Sequence, residues 1–526
     1  MSRLIALSNR VKLPDNGPMA GGLAVALYEV LKGHSVVWMG WNGEIEDAPN
    51  TFHQQKQTVT STDSEGQKVS SQITYVTTAL TPKQYQHYYC GFANSVLWLL
   101  LHEQPNLIHQ APEDYANYQT VNRLFAQQLQ AIAQPDDVIW VHDYHFLSVA
   151  YHCRQLGMRN RIGLFLHIPF APLVFWQPLQ QSAELIYHLA HYDLLGTQTM
   201  QDKTKATAVC QHYLKDRLLP QSLADANLDM TTHRQPPPHS NDTRLKLWLD
   251  LQSPHRLKID AYPIGVNVAR IQQYVSHLIS DDPLYKHSAK SDTKQLIAVD
   301  RIDYSKGLLA RFSAYRSFLQ QNPRYQNQLN FSQIACPSRL DLPVYQRLYA
   351  QVRQLLAEVN QQFSPSLYAP NSLSHRPVTD NDDSALDEWQ AITYSEKVLE
   401  HRQLMTMFYK CDIGWVNSLK DGMNLVAKEY IAAQNPDDPG VLLLSRYAGA
   451  AEQMQAAVII DPAQPSSIIQ GLKTALTMPL KQRQERHQVL LQGLKIYDVH
   501  QWQQRFLDDL YLSRQSRVID SALGIL

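Results

Sequence analysis

The chain is poor in cysteine, in net charge and in long apolar runs. Its five cysteines, Cys90, Cys153, Cys210, Cys336 and Cys411, include no pair at C-x-x-C spacing. Their odd number and scatter exclude a disulfide framework and a zinc ribbon, and predict buried thiols in a reducing compartment. Charged residues make up 18% of the chain, with 47 Lys and Arg against 48 Asp and Glu, for a net charge of −1. Nothing global draws such a chain to nucleic acid or to an anionic membrane, although a neutral total can conceal a basic cleft. The apolar run Leu4–Leu7 is far shorter than the ~7–15 residues of a secretory core. No run approaches the ~18 residues of a membrane span, so the expectation is a cytoplasmic protein with neither membrane nor nucleic-acid partners. A G-x-S-x-G elbow, a Walker loop, a full G-x-G-x-x-G and an H-E-x-x-H helix are all missing.

What is present is 526 residues, 44% of them hydrophobic, enough for a large core and for about two or three domains. Apolar strands alternate with helical periodicity. Leu4–Leu7, Val36–Trp38, Val138–Val141, Ile162–Leu166 and the stretch ending at Gly196 read as buried strands. Helices are expected after Gly21-Gly22, over Leu23–Leu31, and around Val121–Ile132. A second series has strands at Leu296–Val299, Phe331–Ala335, Ile413–Val416, Val441–Leu444 and Val458–Ile460, with helices near 307–320, 343–360, 423–434 and 467–477. Continuous apolar strands separated by helices predict parallel α/β sheets. The pattern weakens over 213–258, where 235–242 read as an exposed loop, and over 364–388, read as a surface insertion. The chain therefore divides into two Rossmann-like α/β halves, 1–265 and 266–497, joined near Pro263-Ile-Gly265. Ligands of open parallel sheets bind beyond the carboxyl ends of the strands, so two such halves are expected to face each other across a cleft.

The polar residues at strand ends are the candidates for chemistry. Gly21-Gly22 before a helix could bring backbone N–H groups to a phosphate, or could be an ordinary tight turn. Arg301 and Lys306, in Asp300-Arg-Ile-Asp-Tyr-Ser-Lys-Gly307, could neutralise a diphosphate, or could form a surface cluster with Asp300 and Asp303. Asp421-Gly422-Met423-Asn424-Leu425-Val426 combines a turn with a helix start, and places Glu429 about two turns into the helix. His142, Asp143, His145 and His167 follow strands without the spacing of a metal helix, and suit a hydroxyl-rich ligand better than a metal. Trp41, Tyr89 and Trp98 offer faces for sugar rings or belong to the core. Phosphate binders, hydroxyl binders and aromatic platforms describe group transfer from a phosphorylated donor better than hydrolysis.

Ten co-linear blocks resemble the trehalose-6-phosphate synthases, a family of retaining GT-B glucosyltransferases. They are Ser8-Asn-Arg10, Gly21-Gly-Leu-Ala-Val25, Tyr88-Tyr89 with Asn94-Ser-Val-Leu-Trp98, His142-Asp-Tyr-His145, Phe165-Leu-His-Ile-Pro-Phe170, Tyr192-Asp-Leu-Leu-Gly196, Tyr262-Pro-Ile-Gly265, Arg301-Ile-Asp-Tyr-Ser-Lys-Gly307, Asp421-Gly-Met-Asn-Leu-Val426 and Tyr447-Ala-Gly-Ala-Ala451. The resemblance implies transfer of glucose from UDP-glucose, or from ADP- or GDP-glucose, to glucose 6-phosphate, with no metal and no other cofactor. It implies a donor site of Gly22, Gln198, Arg301, Lys306, Asp421, Gly422, Met423, Asn424, Leu425, Val426 and Glu429. It implies an acceptor site of Arg10, Trp41, Tyr89, Trp98, Asp143 and Arg339. Asp143, His167, Arg301, Lys306 and Asp421 fall at the reacting centre. The resemblance further implies that the C-terminal segment, about 498–526, packs back on the first domain, and that the protein is a homo-oligomer, a dimer or tetramer. The run Ala171-Pro-Leu-Val-Phe-Trp176, Thr197, Asn417-Ser418 and Lys420 depart from the family pattern. Two other readings of the same residues are a synthase for another acceptor, such as glycerol 3-phosphate or a cyclitol phosphate, and a non-catalytic sensor of sugar phosphate.

Overall fold

The computed structural model describes residues 3–11, 36–47, 52–62, 68–219, 243–249, 254–281, 293–364 and 389–513. The Gly21-Gly22 turn, the helix expected at 23–31 and the loop 235–242 lie outside these residues, as does nearly all of 364–388. The chain forms two compact units, Met1–Ile264 with Val499–Leu526, and Gly265–Asp498.

Unit 1 is built on a nine-stranded sheet. Its strands are β1 (Leu4–Arg10), β2 (Val36–Ile45), β3 (His53–Thr62), β4 (Lys68–Leu80), β5 (Val138–His142), β6 (Arg161–Phe165), β7 (Leu194–Thr197), β8 (Thr243–Leu247) and β9 (His255–Ala261). They run in the order β3-β4-β2-β1-β5-β6-β7-β9-β8. All neighbours are parallel except β3 with β4 and β8 with β9. The sheet is thus parallel at its centre, as the buried apolar runs require, and antiparallel at both edges, which departs from the all-parallel expectation. Strands β8 and β9 cross the stretch where the sequence pattern weakens. Strand β1 lies between β2 and β5, so the chain changes direction across the sheet there.

Unit 2 has a six-stranded, wholly parallel sheet: β10 (Lys294–Arg301), β11 (Leu329–Cys336), β12 (Ile392–Ser395), β13 (Ile413–Val416), β14 (Val441–Ser445) and β15 (Val458–Ile460). The order is β12-β11-β10-β13-β14-β15, with the switch at β10. Such switch points open a crevice at the carboxyl ends of the strands. Two Rossmann-like α/β units of this kind are the GT-B class. Four cysteines are buried and Cys336, at the end of β11, is only partly so. Among the described residues, no helix is long and apolar enough to cross a membrane.

The helix Val499–Leu512 belongs to unit 1 and lies over β6 and β7. Trp502, Phe506 and Leu510 are buried there, each contributing roughly 1.5–3 kcal/mol of apolar burial. Phe506 stacks on Trp140 at 5.3 Å. It fits because β6 and β7 carry glycine beneath it: a Cβ on Gly196 would stand 2.7 Å from the Phe506 ring, and one on Gly163 3.0 Å.

Candidate functional site

In unit 1 the candidates gather at the carboxyl ends of β1, β2, β5, β6 and β7. Arg10 ends β1 opposite Trp41 of β2. Its guanidinium carbon sits 5.6 Å from the centre of the Trp41 ring, a cation–π distance. Gly43, at φ 95°, makes room for it, since a Cβ there would stand 2.6 Å from Arg10 Nη2. Trp41 is itself oriented by its indole N–H, which donates to Glu44 O at 2.7 Å.

Tyr89 stacks on Tyr85 at 5.5 Å and on His145 at 6.1 Å, and meets Trp41 at 5.3 Å. It projects from the helix Tyr85–Leu97, in which the turns are widened, so that Trp98 N–H reaches Ala93 O five residues back. The sequence sustains this register with side chains: Asn94 Nδ2 donates to Tyr89 O at 2.8 Å and Ser95 Oγ to Cys90 O at 2.7 Å. Widened turns of this kind frequently mark functional sites. Trp98 is 5% exposed and packs on His102 and Tyr144 at 4.0 and 5.6 Å. It is a core residue backing the aromatic group, whereas Arg10 is exposed and Tyr89 partly so.

Asp143 follows β5 with φ 74°, a left-handed conformation that is costly for a non-glycine residue. Its Oδ1 accepts the His167 N–H at 3.3 Å. His142 Nδ1 and His167 Nε2 are 3.1 Å apart. Burial, and then the neighbouring His167, hold His142 well below the ordinary imidazole range; burial brings His167 down to about 3. Both rings are therefore neutral at neutral pH, and one proton bridges them. His142 Nε2 is buried without a partner among the described residues. An orphaned N–H there would cost more than an orphaned acceptor nitrogen. We assign the bridging proton to His142 Nδ1, which leaves the His167 proton on Nδ1. Gln198 spends both ends of its amide on backbone: Oε1 accepts from Ile264 N at 3.1 Å and Nε2 donates to His167 O at 3.4 Å. In this structure it braces His167.

In unit 2 the candidates converge at the ends of β10 and β13. Asp421 Oδ2 accepts from Lys306 Nζ at 2.5 Å, from Ser418 Oγ at 3.0 Å and from Asn424 Nδ2 at 3.0 Å. Asn424, at φ 79°, caps the helix Leu425–Ala433, its Oδ1 accepting the Ala427 N–H at 3.0 Å. The N–H groups of Leu425 and Val426 precede any acceptor within the helix, which leaves a site of partial positive charge. The carbonyl of Met423 and that of Asp421 are taken by Ala450 and Gly449, so the 449–454 segment holds Gly422 and Met423 in place. Glu429 lies one turn into the helix, not two, because the helix begins at Leu425. Its Oε1 is 3.1 Å from His401 Nε2.

Lys306 does not join Asp300 and Asp303 in the cluster given as the alternative. Asp300 is engaged by the buried Arg311 at 2.5 Å and Asp303 by Arg339 at 2.7 Å, while Lys306 turns to Asp421. Arg301 stands exposed at the end of β10. Sequence reasoning gave Asp303 only a place in a surface cluster, noted Ser418 only as a departure from the family pattern, and did not name His401. Asp303 lay inside a quoted motif; the contact of His401 with Glu429 spans 28 residues and has no local signal.

The sequence pattern of "Glycosyltransferase family 20" matches residues 14–386 and 380–512. Trehalose-6-phosphate synthase of Sodalis glossinidius is 35% identical over 517 residues, 97% of this chain and 96% of that protein. The crystal structure of an alpha,alpha-trehalose-phosphate synthase (UDP-forming) from Burkholderia vietnamiensis superposes with a TM-score of 0.80 at 35% identity, covering 98% of each chain. The corresponding structure from Burkholderia xenovorans, in complex with glucose-6-phosphate, gives a TM-score of 0.79 at 33% identity, covering 97% of this chain and 100% of that one. With matches of this length and identity, the chain belongs to glycosyltransferase family 20.

Proposed function

We propose that the protein is a retaining glucosyltransferase that makes α,α-trehalose 6-phosphate from UDP-glucose and glucose 6-phosphate. The observation that carries this is the constellation at the ends of β10 and β13: Arg301, Lys306, the carboxylate of Asp421 and a capped helix start, in a chain similar to two Burkholderia synthases named as UDP-forming. Arg301, Lys306 and the N–H groups of Leu425 and Val426 match a diphosphate. Asp421 matches a sugar hydroxyl, and Glu429 the ribose. In unit 1, His167 suits a hydroxyl of the transferred glucose, offering Nδ1–H as a donor. Arg10 of unit 1 suits the acceptor phosphate, as does Arg339 of unit 2, and Trp41, Tyr89 and Asp143 suit the acceptor sugar. Gly22 would bring its backbone to the donor phosphate.

The reaction follows from those roles. The bond between the anomeric carbon and the diphosphate oxygen breaks, and the acceptor's 1-hydroxyl oxygen bonds to that carbon on the same face. The hydroxyl proton passes to the departing phosphate oxygen, and UDP leaves. No protein nucleophile is required, and Asp421 is already committed to three donors. The protein's work is alignment and stabilisation of the charge gathering on the leaving group. The cations that do this are side chains, so the reaction is proposed to need no metal.

The test is a product assay with EDTA-treated protein, glucose 6-phosphate and UDP-, ADP- or GDP-glucose in turn. Trehalose 6-phosphate with stoichiometric UDP is the expected result. Absence of product with every donor would refute the reading.

A further inference from the structure

We propose that Asp303 is a positioning residue that holds the acceptor-phosphate arginine and the donor-phosphate turn in one frame; the proposal rests on the roles given above to Arg339, Arg301 and Lys306. Asp303 is 1% exposed, although it lies between two segments that carry phosphate ligands. Its two oxygens are divided between them. Oδ1 accepts the Ser305 N–H at 3.0 Å, and the Asp303 carbonyl accepts the Lys306 N–H at 3.0 Å, so the residue shapes the turn that leads from Arg301 to Lys306. Oδ2 accepts from Arg339 Nη1 at 2.7 Å and from the Tyr345 hydroxyl at 3.1 Å.

Arg339 needs such a holder. It sits at φ 51°, in the left-handed region, on the loop after β11. Nothing in the local backbone preference of an arginine selects that conformation. Tyr345, fully buried, closes the group: its hydroxyl receives a second bond from Arg339 Nη1 at 3.0 Å, and the guanidinium lies 5.4 Å from its ring centre. Burial, and then Asp303, push the Tyr345 hydroxyl well above its ordinary range, so it stays protonated and donates to the carboxylate. A long arginine held by a buried anion loses little further rotamer freedom when a phosphate arrives. The same carboxylate ties that arginine to the turn that precedes Lys306.

Asparagine and alanine separate the two halves of this role. Asp303→Asn retains an amide oxygen for the Ser305 N–H but loses the charge that holds Arg339. The KM for glucose 6-phosphate should rise about tenfold or more, the usual worth of a hydrogen bond to a charged group, while the KM for UDP-glucose stays near wild type. Asp303→Ala loses both contacts and should raise both constants. Tyr345→Phe removes only the hydroxyl, and should raise the acceptor constant by a few-fold without touching the donor constant. The Tyr345 variant keeps the test decisive if the Asp303 variants are poorly folded. In an Arg339→Ala background, Asp303→Asn should add nothing further to the acceptor constant. An unchanged acceptor KM in Asp303→Asn and Tyr345→Phe, or a parallel rise in both constants, would overturn the proposal. A wild-type protein without synthase activity would instead overturn the functional reading on which it rests.

Discussion

Replacing Asp421 by asparagine should lower turnover without weakening the hold on the nucleotide. The Oδ2 atom of Asp421 takes three donors, and the Asp421 and Lys306 side chains are each only 14% exposed. Before any ligand is bound, the lysine assigned to the diphosphate is thus committed to Asp421. A diphosphate must compete with that carboxylate for Lys306. In Asp421→Asn the new side chain is isosteric, so the turn keeps its shape, but its attraction for Lys306 is that of a neutral amide. The hydroxyl contact assigned to the carboxylate is a charge-assisted bond worth about 1.5–3 kcal/mol, which converts to a roughly 10- to 150-fold loss in kcat/KM. UDP, relieved of its competitor, should bind at least as tightly as it does to the wild type. The assay pairs steady-state release of UDP with calorimetric titration of UDP into the acceptor-free protein. Two results would refute the reasoning: a kcat/KM within about threefold of wild type, or UDP affinity that falls in step with turnover.

Arg301→Ala removes an exposed cation from the end of β10; kcat should fall by about 10²–10³-fold, as for the loss of one preorganised donor to developing charge, and near-normal turnover would remove Arg301 from the reaction. Acid should destabilise unit 1 ahead of unit 2. Burial lowers His167 and His188 to about 3 and His152 and His191 to about 4, and depresses His142, all in unit 1. Among the described residues of unit 2, only His487 is so lowered. Such a histidine costs nothing above its unfolded pKa of about 6.5, and stability is lost as the pH falls towards its folded value, by about 2 kcal/mol per group at pH 5. Hydrogen exchange followed by unit at pH 7.5 and pH 5 should show protection lost first in the described residues of unit 1, and equal protection at both values would contradict the assignment. Gly196→Ala should destabilise by about 1–3 kcal/mol, because its Cβ meets two buried rings, Phe506 at 2.7 Å and Phe165 at 2.8 Å. An unchanged melting temperature would show that the helix Val499–Leu512 is not held as described.

The sequence, read alone, carries ten of the fifteen described strands and the helices near 121–132, 307–320, 343–360, 423–434 and 467–477; it does not show β3, β4, β8, β9 or β12, nor the helices Val149–Gln155, Ser182–Leu189, Met200–Tyr213, Val268–Asp281, His401–Lys410 and Leu480–Ile496. Leu4–Leu7, Val138–Val141 and Ile413–Val416 are apolar throughout because each is covered on both faces, and that requirement is written locally. Strand β3 was illegible for the opposite reason. It lies at an edge, and His53-Gln-Gln-Lys56 is exposed on both sides, so no alternation is demanded of it. Part of the candidate site is legible as residue types at strand ends and turns, namely Asp143, Arg301, Lys306 and Asp421, whereas Arg10 and Arg339 enter only through the family resemblance. What only the tertiary structure decided was the partner of each. Lys306 meets Asp421 across 115 residues, Arg339 meets Asp303 across 36, and Glu429 meets His401 across 28. Periodicity and turn chemistry are local properties of the chain, set by its own backbone. The choice of which carboxylate a buried cation faces is made by the parallel pairing of strands distant in sequence, and only packing brings those groups within hydrogen-bond reach.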